Sequence, residues 1–166
     1  SERPYPRASA PCIQVTDVRA AMALLADFAW GHPSGRLAVT GITGTKGKTT
    51  TAYFLRGILD HWQAARGLHR TALLSTIVTD DGLERRPAKL TTPEPLDLQR
   101  HLFHAAGAGC GYVTMEVSSQ ALKYHRVDGV DLACAVFLNI GEDHISPVEH
   151  PDFEDYFASK LRIFAQ

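Results

Sequence analysis

Apolar residues recur along the chain with two different spacings, and the alternation between them is the strongest signal it carries. Val18, Ala21, Met22, Leu25 and Phe28 follow the helical period behind Thr16 and Asp17, either of which can cap a helix, and the pattern stops before Gly31-His32-Pro33. A short apolar run at 37–40 predicts a first strand. After a glycine-rich turn, Phe54, Leu55, Ile58, Leu59 and Trp62 predict an amphipathic helix with one core-facing side. A second strand is expected near 71–79, with Asp81-Gly82 as a turn or hairpin tip. Pro95 opens a third helix, with Leu98, Leu102, Phe103 and Ala106 toward a core and glycines at 107, 109 and 111 closing it. Strands at 112–117 and 132–138 and a last helix from about Phe153 complete the series. Strands alternating with helices imply an α/β fold, a mostly parallel sheet flanked by helices with ligands at the strand C-terminal ends.

Composition narrows the partners. The 166 residues fit one domain with a sizeable core, and 45% are hydrophobic. Seventeen basic and 18 acidic residues leave a formal net charge of −1, which argues against nucleic acid or membrane as a partner, so an anionic substrate would have to be handled locally. The longest apolar run, near 132–138, is too short to span a bilayer, and Ser1-Glu2-Arg3-Pro4 lacks a signal-peptide core, so the cytoplasm is the expected compartment. Cys12, Cys110 and Cys134 are odd in number and widely spaced, which argues against a disulfide framework or structural zinc; they are expected to be reduced and mostly buried. Residues 1–12 hold three prolines and no periodicity, as in an extended lead-in.

The candidate chemistry centres on the turn from Val39 to Thr51. Gly44 and Gly47 can adopt positive φ and admit an anion closely, so that successive backbone N–H groups converge on phosphates at a helix start. Lys48 would reach the β- and γ-phosphates of a nucleoside triphosphate and the Thr49 hydroxyl would ligate Mg²⁺. The common P-loop pattern wants its first glycine where this chain has Ile42. Glu116, at the end of an apolar strand, is the leading carboxylate for Mg²⁺. His144 follows the next strand and would emerge on the same sheet edge. Glu149, Asp152, Glu154 and Asp155 read as a solvated acidic face.

The ordered set Thr43-Gly44-Thr45-Lys46-Gly47-Lys48-Thr49-Thr50, Thr91-Thr92-Pro93, Met115-Glu116-Val117-Ser118-Ser119, His125-Arg126-Val127, Asn139 with Asp143-His144, and Ser159-Lys160 resembles the motifs of the Mur ligases. Within that family it looks most like the branch that adds the third residue to UDP-N-acetylmuramoyl-L-Ala-D-Glu. The resemblance implies that the stretch Gly44, Thr45, Lys46, Gly47, Lys48, Thr49 and Thr50 binds ATP. It implies that Thr49, Glu116 and His144 hold Mg²⁺, with Lys160 carbamylated into a carboxylate-like metal bridge. Thr91, Thr92, Ser118 and Arg126 then match positions that bind the nucleotide-sugar peptide. The implied reaction passes the γ-phosphoryl group to a carboxylate, giving an acyl phosphate that an amine attacks, with Lys48, Glu116, His144 and Lys160 as the catalytic set. Leu90 and Tyr124 stand where many relatives have Asn and Gln. The run 145–151 resembles lysine-adding members, so L-Lys is favoured over meso-diaminopimelate as the incoming diamino acid. Residues 1–36 resemble a linker and the end of an upstream domain; residues 37–166 resemble the ATP-binding domain without its C-terminal end. The resemblance also implies a monomer. The alternatives are a folylpolyglutamate synthase-like ligase, which Ser118-Ser119 and His125-Arg126 disfavour, or a non-catalytic nucleotide-binding module of the same fold.

Overall fold

A computed structural model describes residues 11–143, 145–146 and 149–166. Six strands form one sheet in the order β4-β3-β2-β5-β1-β6. Strands β1 (Ala38–Thr43), β2 (Ala72–Leu74), β5 (Tyr112–Glu116) and β6 (Cys134–Phe137) run parallel, and β3 (Val78–Asp80) and β4 (Arg85–Pro87) add an antiparallel hairpin at one edge. Side-chain alternation sends Ile42 and Leu73 to one face, where they pack with Ala52 of α2 (Lys48–Ala64). Val39, Leu74, Val113 and Met115 join Leu98 and Leu102 of α3 (Pro95–Gly107) in a larger core. With α2 and α3 in different cores, the sheet is covered on both faces, as the alternation of elements predicts.

Several local expectations change. Strand β1 runs past the predicted 37–40 to Thr43, because β5 and β6 flank it on both sides and continue the ladder through Gly41 and Ile42. Ile42 is therefore a fully buried core residue, and the glycines that shape the turn come after it. The single strand expected at 71–79 is two: the chain reverses at Ser75-Thr76-Ile77, where Ser75 Oγ accepts from the amides of Ile77 and Val78. Helix α1 (Val18–Ala29) starts as predicted, Asp17 accepting from the amides of Arg19 and Ala20. Its buried side is Ala23, Ala26 and Asp27, facing α3, while Leu25 and Phe28 are 64% and 73% exposed. Small residues let two helices approach closely, so the large apolar side chains are displaced from that contact. Helix α2 likewise turns Ala52, Leu55 and Leu59 inward, and Phe54 and Ile58 lie on the exposed flank. In α3, Leu98, Leu102 and Ala105 are buried, rather than Phe103 and Ala106.

Two further corrections concern side chains. Cys110 is buried, but Cys12 and Cys134, the latter at the start of β6, are exposed. The acidic stretch is only partly solvated. Asp152 caps α5 (Phe153–Leu161), and Asp155 and Glu149 are drawn toward α4 (Ser119–Lys123), a short helix the periodicity did not reveal. Among the described residues, no helix is long and apolar enough to cross a membrane.

The hairpin tip is clasped to α3 by a buried carboxylate. Asp81 Oδ1 accepts from the amides of Leu83 (3.1 Å) and Glu84 (2.7 Å), and Oδ2 takes His101 Nδ1 (2.6 Å) and His104 Nδ1 (3.0 Å). These three side chains are close enough to suggest a metal site, with ligand atoms within 4.8 Å of one another. The carboxylate already has four donors, which is its full acceptor capacity, so a hydrogen-bonded clasp accounts for it. Burial pushes the Asp81 carboxyl up, but its bonds from His101, Glu84 and His104 outweigh that and hold it below the usual range. Burial pushes His101 below its ordinary value against the pull of Asp81.

The sign of the pH effect follows. A neutral buried His101 refuses a proton that the unfolded chain takes below about pH 6.5, and the depressed Asp81 loses its contribution as pH falls below about 4. Thermal unfolding is expected to show stability declining steadily from about pH 6.5 toward pH 3. Asp81→Ala, which strands the two imidazoles and two amides, should lower stability by about 3 kcal/mol and Tm by about 6–12 °C. A variant within 1 °C of the parent would contradict the clasp.

Candidate functional site

The glycine-rich turn has the shape its sequence predicts. Gly44 (φ 152°) and Gly47 (φ 87°) lie in the region that side chains avoid, and Gly47 caps α2. A Cβ at Gly44 would sit 3.1 Å from Leu138 Cβ, so the chain just past β6 crowds the turn from behind. Asn139, just past β6, clamps it: its carbonyl accepts from Thr45 N, its Oδ1 from Lys46 N, and its Nδ2 donates to Lys46 O. The Thr45 hydroxyl accepts from Gly141 N (3.0 Å) and lies 3.1 Å from the Tyr156 phenol. Lys46 and Thr50 side chains face solvent.

Two lysines converge on one carbonyl. Lys48 Nζ donates to Gly44 O at 2.8 Å and Lys160 Nζ donates to the same oxygen at 3.0 Å. Lys160 is 1% exposed and lies 4.6 Å from the centre of the Tyr156 ring, so it is no surface charge. Burial, then the nearby Lys48, lower its pKa to about 8 against the opposing pull of Asp143. Burial lowers Lys48 as well, with Glu116 and Asp143 pulling the other way.

Glu116 is fully buried beside this pair. Its Oε2 accepts from Thr49 Oγ1 (2.9 Å) and Thr76 Oγ1 (3.1 Å), and its Oε1 from Thr76 N (2.9 Å). The Thr76 hydroxyl also pairs with that of Thr91 at 3.1 Å. Thr92 is buried, donating to Glu116 O and accepting from Ser118 N, so it fastens the end of β5. Ser118 Oγ caps α4 by accepting from Ala121 N. Arg126 donates to Glu94 (2.8 Å), and its Nε is buried with no hydrogen-bond partner. His144 lies outside the described residues.

A cleft of about 180 Å³ brings Lys48, Thr91, Ser118, Arg126 and Lys160 to one surface, together with Ser119 and Glu149. Glu116 and Thr49 adjoin it through the Thr76–Thr91 contact. Thr76, absent from the sequence reading, is the residue that joins the carboxylate to the substrate-side threonines. Its position in a β-prone run hides the reversal that delivers it.

Residues 42–166 match the Mur ligase middle domain. The chain belongs to that family. It is 49% identical over 154 residues to a UDP-N-acetylmuramyl-tripeptide synthetase of Lactococcus lactis subsp. cremoris, covering 92% of this chain and 31% of the relative. A UDP-N-acetylmuramoyl-L-alanyl-D-glutamate--L-lysine ligase of Enterococcus faecalis is 46% identical, with 98% of this chain and 32% of that protein covered. The chain spans about a third of the length of the curated relatives it matches. Among solved structures, a UDP-N-acetylmuramoyl-L-alanyl-D-glutamate--2,6-diaminopimelate ligase superposes with a TM-score of 0.71 at 26% identity, over 92% of this chain and 30% of that one.

The lysine pair makes a measurable statement. The Lys160 side-chain amine should titrate near pH 8, well below an ordinary lysine. Lys48→Ala removes a neighbouring positive charge and should move that titration upward. Side-chain NMR of the ζ-amine reads both, and a midpoint near 10.5 in the parent would show that Lys160 is solvated.

Proposed function

We propose that this domain is the ATP-binding core of a ligase that adds the third amino acid to UDP-N-acetylmuramoyl-L-Ala-D-Glu, with residues 37–166 as the ATP-binding unit and 1–36 leading into it. The observation that carries the reading is the meeting of Lys48, Lys160 and the Thr49–Glu116 pair around Gly44, at the edge of a cleft that also holds Arg126. The Lys48 ammonium and a helix start suit a polyphosphate. The names of relatives at 46–49% identity support the rest.

In this reading the amides of Gly44 to Thr50 bind the ATP phosphates, and Lys48 leaves the Gly44 carbonyl to pair with the β- and γ-phosphates. Arg126, which lines the cleft, offers a planar fork for a substrate carboxylate or phosphate. The substrate carboxylate oxygen attacks the γ-phosphorus, ADP leaves, and the amine of the incoming amino acid displaces phosphate from the acyl carbon. The hydroxyl of Thr49 and the carboxylate of Glu116 are hard oxygen donors 2.9 Å apart, a set that fits Mg²⁺, with His144 and a carbamylated Lys160 completing it. Magnesium supplies neutralisation of the charge on the transferring phosphoryl group. A Lys160 amine with pKa about 8 has a larger neutral fraction to react with CO₂ than an ordinary lysine. The lysine ligase name of the Enterococcus faecalis relative supports L-Lys over meso-diaminopimelate. The reading extends to a cytoplasmic monomer.

The test uses the full-length protein with ATP, Mg²⁺, UDP-N-acetylmuramoyl-L-Ala-D-Glu and either diamino acid. ADP release should require the dipeptide substrate, and Lys48→Ala should lower kcat by about 10²-fold or more. ADP release indifferent to the dipeptide, or full turnover by Lys48→Ala, would refute the assignment.

A further inference from the structure

Ser119, His150 and Asp155 form a chain of hydrogen bonds at the wall of the same cleft, and none of them has a role in the reading above. Ser119 Oγ lies 2.9 Å from His150 Nε2, and His150 Nδ1 lies 2.6 Å from Asp155 Oδ2. The three come from separate places: Ser119 opens α4, His150 sits in the loop before α5, and Asp155 is in the first turn of α5. Lys123 donates to the Asp155 carboxylate at 2.7 Å; that bond, with the one from His150, holds the carboxyl below the usual range. An ionised carboxylate can only accept, so Nδ1 of His150 carries the proton and Nε2 accepts from the Ser119 hydroxyl. This is the order of groups by which an imidazole takes a proton through a serine. His150 itself is fully enclosed, its ring against Tyr156. Ser119 lines the cleft beside Lys48 and Lys160, so a molecule in the cleft reaches the imidazole through the serine.

The chemistry has a need for such a path. An amine that attacks an acyl group becomes cationic unless it sheds a proton, and a positioned acceptor is worth about 10²–10⁴-fold. Lys48 and Arg126 are donors, a carbamylated Lys160 is committed to the metal in that reading, and Glu116 is occupied by three donors of its own. Glu149 is the other carboxylate at the cleft; its Oε1 accepts from Gln120 at 3.1 Å.

We propose that Ser119 and His150 are the proton path for the attacking amine. As the amine nitrogen bonds to the acyl carbon, its N–H proton passes to Ser119 Oγ, and the Ser119 proton passes to His150 Nε2. The C–O bond to phosphate breaks and phosphate leaves with the electron pair, after which the imidazolium returns its proton through Ser119 to the departing phosphate. Asp155 is a positioning residue that fixes the imidazole tautomer. The inference rests on the acyl-phosphate reading of the site.

The experiment separates the two halves of the reaction in the full-length ligase. Amide formation with the diamino acid is compared with hydroxamate formation, in which hydroxylamine, a weakly basic amine uncharged at neutral pH, captures the acyl phosphate and loses its more acidic N–H proton to water, without needing a positioned acceptor. Ser119→Ala and His150→Gln should lower amide turnover by about 10²-fold while lowering hydroxamate formation only a few-fold, and Ser119→Thr, which keeps the hydroxyl, should recover most of the amide rate. The hydroxamate rate also reports that the variant is folded. Amide and hydroxamate rates that fall together would assign the triad a structural role and overturn the proposal. So would unchanged amide turnover, or a selective loss of amide formation in Glu149→Gln and not in Ser119→Ala. A parent enzyme that forms neither ADP nor hydroxamate from the dipeptide substrate would instead overturn the ligase reading beneath it.

Discussion

Burying a carboxylate costs several kcal/mol unless donors replace the water it loses. Glu116 recovers that cost from Thr49 Oγ1, Thr76 Oγ1 and Thr76 N, which belong to the first turn of α2 and to the reversal between β2 and β3. All three donors are neutral, so the hydrogen bonds solvate the negative charge and leave it to be opposed by the Lys48 ammonium. Three segments distant in sequence must be in register for this to hold. The end of β5, the helix that follows the glycine-rich turn and the antiparallel hairpin are thus placed relative to one another by one side chain.

Helix α5 makes a second set of connections from a single face. Tyr156 and Lys160, four residues apart and so stacked on one side, reach Thr45 and the Gly44 carbonyl, while Asp155 holds His150. The helix is pinned at its start by Asp152, which accepts from Asp155 N. Rotating α5 by one residue would withdraw the phenol and the ammonium from the loop together. The loop's conformation therefore depends on α5 as well as on its own glycines.

Sequence reading worked where the cause of structure is local. Gly44 and Gly47 declare a turn because φ is a property of one residue, and Glu116 stands out because an acid at the end of an apolar strand is conspicuous. It failed where burial is decided by a distant partner. Phe28 and Phe54 fit the helical period, but the side that α1 or α2 buries depends on what packs there: small residues won the α1 contact, and Ala52 with Leu55 won that of α2. Thr76 looked like mid-strand because its reversal is fixed by Glu116, 40 residues away. His150 and Asp155 lay in a stretch whose acidity suggested solvent, and only α4, too short for periodicity to register, turns them inward.

The shared carbonyl of Gly44 has a consequence for kinetics. With Lys160 as the free amine, one oxygen with two lone pairs serves two ammonium groups, so the pair concentrates positive potential that the carbonyl dipole offsets only in part. Beyond a Debye length of about 8 Å in physiological salt these charges are largely screened from a diffusing anion. Within that length the loop mouth is strongly attractive. Ionic strength would then act mainly on the last step of a polyanion's approach, altering how often encounters succeed far more than how often they occur.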